Sequence, residues 1–135
     1  MKIKALIEKT DTGYCSISCD EQIGNFCLGG FGNSVAEAKD DFMSVVKEAQ
    51  DEYVVEHGEL PDKYKDVSVM YQYDLQSFFD CFDWINITKF AQVAGVNESK
   101  LRLYKVGKAF AGERTKAKLQ SAIKRMSAEL ASVTL

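Results

Sequence analysis

The stretch from Asn97 to Lys108, NESKLRLYKVGK, crowds one arginine, three lysines and a polar helix cap together. Side chains of this kind recognise nucleic acid. An arginine fork can bond guanine O6 and N7 at once. Lysines meet phosphates as point charges that position without specifying sequence. Arg102 is therefore the candidate base reader, with Lys100, Lys105 and Lys108 as candidate phosphate contacts. Asn97, Glu98, Ser99 and Leu103 complete the face that would enter a groove. Arg102 also has a competing partner in Glu98, four residues before it.

These residues need two short helices to hold them. NITKFAQVAGVNESKLRLYKVG predicts a first helix over 87–94, a turn at Gly95-Val96 and a second helix starting at Asn97. Ala91 is small where the helices would cross, and Gly95 suits a positive φ. Asn97 can cap the second helix. Val96, Leu101 and Tyr104 point back to a core. This is helix-turn-helix spacing, whose second helix enters the major groove. A plain helical hairpin with a glycine turn is the alternative, and the basic helix that follows favours DNA.

The flanking segments complete a helical domain. Phe78, Phe79 and Phe82 form one stripe of a preceding helix, expected to close the same core, and Trp84 is expected to pack there. Lys108 to Gly112 reads as a loop. A last helix starts near Glu113, with Ala117, Leu119, Ala122, Ile123, Met126 and Leu130 inward. Arg114, Lys116, Lys118, Lys124 and Arg125 make its basic side. The tail from Ala131 to Leu135 is expected to fray or to pair in a dimer.

Charge separates the halves. Residues 1–85 carry 7 Lys and Arg against 17 Asp and Glu, a balance of −10, and residues 86–135 carry 10 against 3, a balance of +7. An acidic module joined to a nucleic-acid-binding one is the implied organisation. There is no long apolar run and no secretory signal at the start, so the expectation is a cytoplasmic chain that does not enter a membrane. Cys15, Cys19, Cys27 and Cys81 form no Cys-x-x-Cys pair, and His57 is the only histidine, so neither a metal nor a cofactor is expected. A nuclease would need clustered carboxylates on the inward strand positions, yet those are Ile3, Ala5, Ile7, Cys15, Ile17 and Cys19. No hydrolytic triad is available either, so the chain is expected not to be an enzyme.

The first half reads in order as strand, strand, strand, helix, strand. Ile3, Ala5 and Ile7 alternate with polar residues, Tyr14 to Cys19 follows a Thr-Asp-Thr-Gly turn, and Phe26 to Gly30 is third. Gly29, Gly30 and Gly32 fit no phosphate-loop fingerprint; a bulge or tight strand exit is expected. Ser34 and Glu37 form a capping box, apolar residues recur from Val35 to Tyr53, and Gly58 ends the helix. The outer face of that helix is acidic; Asp40, Asp41 and Glu48 are the candidate contacts for a basic partner. Val67, Val69, Tyr71 and Tyr73 make the fourth strand.

GYCSIS followed by LGGFGNSVAEAKDDF resembles the N-terminal module of HicB-family antitoxins. The shared features are Gly13-Tyr14, the glycines from Gly30 to Gly32, and the helix start from Ser34 to Ala38. The resemblance implies a truncated ribonuclease-H-like sheet and a basic HicA-like toxin, an mRNA interferase, as partner. It also implies an operator in double-stranded DNA that the chain represses. One helix-turn-helix reads too short a site, so a homodimer or tetramer is expected. The family's Phe-Pro-Asp segment after the second strand is replaced by Cys19-Asp20-Glu21. An orphan HicB-like transcriptional regulator without a toxin is thus the second expectation. The expected fold is α+β: a βββαβ HicB-like module over 1–74, then an all-α, lambda-repressor-like helix-turn-helix domain over 75–135.

Overall fold

The computed structural model describes residues 1–135. The elements are β1 (Lys2–Lys9), β2 (Cys15–Ile23), β3 (Phe26–Gly32), α1 (Val35–His57), a 3-10 turn (Asp62–Tyr64), β4 (Ser68–Tyr73), α2 (Leu75–Cys81), α3 (Ile87–Ala94), α4 (Glu98–Lys105) and α5 (Glu113–Ala131). The architecture is α+β, in two compact units, Met1–Cys81 and Phe82–Leu135. No helix is long and apolar enough to cross a membrane.

In the first unit the strands lie in the order β3-β2-β1-β4. β1–β2 and β2–β3 are antiparallel, and β4 runs parallel to β1 with Ala5 opposite Tyr71. The parallel pair requires a crossover, which α1 supplies. Alternation buries Ile3, Ala5, Ile7, Cys15 and Ile17 on one face, against Ala38, Phe42, Val46 and Ala49 of α1. The opposite face carries Lys4, Leu6, Ser18, Phe31 and Met70, all exposed.

Both ends of α1 follow from their caps. The Ser34 hydroxyl accepts the Glu37 N–H at 3.1 Å. The Glu37 carboxylate accepts the Asn33 N–H at 2.8 Å, one residue earlier than a capping box requires. At the far end Gly58 takes φ 91°, and its N–H returns to the Val54 carbonyl. The glycines of β3 are neither a phosphate loop nor simply a strand exit. A Cβ on Gly30 would lie 2.6 Å from the Ala38 carbonyl oxygen and 2.6 Å from the Phe42 nitrogen, and one on Gly32 would lie 2.6 Å from the Ala38 nitrogen. The bare strand lets the α1 backbone settle directly on it. The register does shift elsewhere, between Ser18 and Gln22 of β2. There the Glu21 carboxylate reaches across to accept the Lys4 N–H at 3.0 Å, and that bond holds its carboxyl below the usual range.

α2 departs from expectation. It packs on β1 and β4, so the first unit runs to Cys81 instead of ending at 74. Ser77 is the anchor: its hydroxyl accepts the Lys9 N–H at 3.1 Å, and its own N–H donates to Asp74 at 2.7 Å. Phe78 lies edge-on to Tyr73 with ring centroids 6.5 Å apart. His57 stacks on Tyr53 in the last turn of α1 at 4.1 Å.

All four thiols are unpaired: Cys15 is buried, Cys19 and Cys81 are half-buried and Cys27 is exposed. Burial pushes the Cys19 and Cys81 thiols up from their ordinary value.

In the second unit, α3 packs on both α4 and α5 around Ile87, Phe90, Ala91, Ala94, Leu101, Tyr104, Leu119 and Ala122. Two inward assignments on α5 fail, because Ala117 and Leu130 are exposed. The fully buried positions of α5 are Leu119 and Ala122, with Ile123 and Met126 half-buried. Trp84 is also not in the core; it is 65% exposed, with only Phe82 edge-on to it at 6.4 Å. Ile87, the first residue of α3, is buried, and Ile85 in the connection is half-buried.

Candidate nucleic-acid interface

The geometry starts with two asparagine caps. The Asn86 side chain accepts the Lys89 N–H at 3.0 Å and starts α3. The Asn97 side chain accepts the Lys100 N–H at 3.0 Å and starts α4. Between them Gly95 sits in the left-handed region at φ 67° and ψ 37°. A side chain there would be strained whatever the space around it. Its N–H bonds back to Ala91 and Gln92, which ends α3 within one residue.

Leu101 and Tyr104 then fix the rotation of α4, since both are buried. Ser99, Lys100, Arg102 and Leu103 project outward together, as the spacing predicts. Val96 is half-buried. Lys105 is also half-buried, and Lys108 lies on the exposed connection after α4. Lys100, Lys105 and Lys108 have no carboxylate within ion-pair range. They are therefore available to an anion.

Arg102 and Glu98 are placed differently. The Arg102 guanidinium donates to the Glu98 carboxylate at 2.8 Å and lies 3.4 Å from the Thr88 hydroxyl. The Thr88 hydroxyl donates to the same Glu98 oxygen at 2.5 Å. This small network ties the first turn of α3 to α4. The Thr88 bond, then Arg102, holds the Glu98 carboxyl below its usual range. The sign follows: the tether is intact above that lowered pKa and is lost only as pH falls through it. Near neutral pH Arg102 stays held. The i, i+4 spacing made the Glu98 pairing legible, but nothing local in the sequence pointed to Thr88, ten residues away.

The basic side of α5 is not all free either. Arg125 donates to the Val93 carbonyl at 2.5 Å, so it ties α5 to the end of α3. Lys116 pairs with Glu113 at 3.5 Å. Arg114, Lys118 and Lys124 are exposed and make no ion pair.

In the first unit, Asp40, Asp41 and Glu48 are all exposed. They do not form one cluster. At 100° per residue Asp41 and Glu48 share a line of α1 while Asp40 lies about a quarter-turn away. Asp41 is also structural, because its carboxylate accepts the Phe31 N–H on β3 at 2.8 Å. A shallow hollow of about 360 Å³ is lined by Lys9, Gly13, Cys15, Asn33, Ser34, Val35 and Cys81. No group of three or more His, Cys, Asp or Glu side chains converges as a metal site would.

Together these features define an α+β chain with an acidic sheet unit and a basic unit built on two capped helices. Net balances are −9 for 7 basic against 16 acidic residues in Met1–Cys81, and +6 for 10 against 4 in Phe82–Leu135. Compared with known families, curated proteins and solved structures, the chain matches none.

Proposed function

We propose that the chain is a HicB-like antitoxin: a repressor that binds operator DNA through a helix-turn-helix formed by α3 and α4, and neutralises a basic HicA-like toxin through its acidic unit. The observation that carries the DNA reading is the outward row of Ser99, Lys100, Arg102 and Leu103. It stands opposite a buried Leu101 and Tyr104, directly after a left-handed glycine turn. A helix rotated and started in this way offers its N-terminal half to the major groove. The strand order and the crossover by α1 are consistent with a βββαβ module of the HicB kind. On this reading the chain acts by binding, performs no reaction, and works in the cytoplasm as an even-numbered homo-oligomer. An orphan regulator of the same build is the second reading. It is favoured by the Cys19-Asp20-Glu21 segment, where Glu21 serves the sheet by taking the Lys4 N–H.

Selection from a pool of random duplexes tests the DNA half. The full chain is expected to enrich one sequence family, with affinity falling steeply as salt rises. Recovery of no preferred sequence would leave only charge-driven binding and remove the repressor reading. The toxin half is tested with the protein encoded beside this chain, if that protein is small and basic. Asp40→Lys with Glu48→Lys should slow the association several-fold at low salt and much less at high salt. Asp41 is left intact, because changing it would also free the Phe31 N–H. An unchanged association rate would move the docking surface off α1.

A further inference from the structure

The strand order leaves two edges, β3 and β4, and they are not equivalent. On β3 the Phe31 N–H is already taken by Asp41, and α1 lies directly over Gly30 and Gly32. Natural sheets blunt their edges in this manner, with charge, glycine-bearing irregularity or a covering helix.

β4 has α2 packed against it but no such device on the strand itself. Its sequence, SVMYQY, contains no proline, glycine or charge. Along a strand the N–H and C=O of one residue point to the same side, and the side alternates. The Ser68 N–H donates to the Met1 carbonyl at 2.9 Å, which fixes the parity. Ser68, Met70 and Gln72 therefore turn their backbone groups to β1. Val69 and Tyr71 turn theirs outward, away from the sheet. Met70 itself projects from the open face and is 57% exposed.

We infer that β4 pairs with β4 of a second copy of this chain, antiparallel, about a two-fold axis at Met70. With Met70 opposite its own copy, Val69 falls opposite Tyr71 of the partner strand and Tyr71 opposite Val69. Those are the residues whose backbone groups point outward, so the two pairs supply four hydrogen bonds. Met70 becomes the non-hydrogen-bonded pair, where side chains approach most closely, and two exposed methionines cover each other. Val69 beside Tyr71 is a β-branched–aromatic pair, and Ser68 beside Gln72 is a polar one. A closed two-fold contact also uses up the β4 edge of both copies, which a heterologous contact does not. The inference does not rest on DNA binding.

The test is a position-specific crosslink in the full chain, with Cys27→Ser removing the exposed thiol. A non-hydrogen-bonded antiparallel pair has Cα atoms about 4.5 Å apart, inside the range a disulfide bridges. Met70→Cys should oxidise to a covalent dimer at tens of micromolar protein, whereas Lys4→Cys, one strand inward, should not. Adding Tyr71→Pro removes an outward N–H that β1 does not use, a place where an edge strand accepts proline. The crosslink should then be lost while far-UV circular dichroism stays unchanged. Because Met70 is an exposed side chain, Met70→Cys tests the register even where Tyr71→Pro fails to fold. Light scattering of a monomer for the unmodified chain at the same concentration would overturn the inference, whether the edge is empty or kept for a different protein. So would a dimer in which Met70→Cys crosslinks no better than Lys4→Cys, or a crosslink that survives Tyr71→Pro in a folded chain.

Discussion

Gly30→Ala should destabilise the first unit by about 2–4 kcal/mol, a large effect for one methyl group. The added Cβ would stand 2.6 Å from both the Ala38 carbonyl oxygen and the Phe42 nitrogen. Both are backbone atoms of α1, so no flexible side chain can swing away. The helix must lift from β3, and lifting it uncovers Phe42 and Val46, which are essentially fully buried. Gly29→Ala is the internal control, since its Cβ would lie 3.4 Å from the Ile17 carbonyl oxygen. It should cost less than about 1 kcal/mol. Urea unfolding of the full chain, followed by circular dichroism, measures both. Equal midpoints for the two variants would mean that α1 does not sit on β3 as described. The second unit should unfold independently of the substitution.

The second large effect concerns Arg102 on a duplex selected by the chain. Arg102→Ala should cost about 1–3 kcal/mol there and relax preference at one base step. Lys105→Ala should weaken all sequences alike and reduce the salt slope by about one. The network around Glu98 adds a third variant with an opposite sign. Glu98→Gln keeps an acceptor for Thr88 and Arg102 but removes the negative charge that now sits 2.8 Å from the guanidinium. Binding to scrambled DNA should tighten, because a carboxylate no longer opposes the phosphates. Binding to the selected duplex should gain less, so the ratio between them falls. If Glu98→Gln leaves that ratio unchanged, the tether has no part in discrimination. If Arg102→Ala loses equally on both duplexes, Arg102 meets only the backbone.

Local rules carried much of the fold. The strand alternation at Ile3, Ala5 and Ile7, the Ser34 cap, the Gly58 stop and the Gly95–Asn97 punctuation each depend on residues within a few positions. The structure has those elements where the residue types predict them. What the sequence hid was long-range. The glycines of β3 serve a helix that begins after them in the chain, and only the tertiary approach shows why no side chain fits. The aromatic stripe of α2 could suit either neighbour; the Lys9–Ser77 bond, 68 residues apart in sequence, ties it to the sheet. Trp84 was expected inside, yet it is exposed, while Ile87 at the start of α3 is buried. At the candidate interface the outward face was legible from helical periodicity. The commitment of Arg125 to Val93 and of Thr88 to Glu98 was not, because both are side-chain bonds between different helices.

The graded depth of the four thiols has a practical consequence: the protein carries its own stopwatch for local opening. Alkylation needs the thiolate, so reactivity follows access and pKa together. Cys27 should be modified at once in the native chain. Cys19 and Cys81, half-buried with thiols pushed up by burial, should lag behind it. Cys15, 1% exposed at the start of β2, should react last, only when that end of the strand opens. Counting added groups by mass over time therefore resolves opening at α2, at the register shift of β2 and at the buried start of β2 as separate free energies.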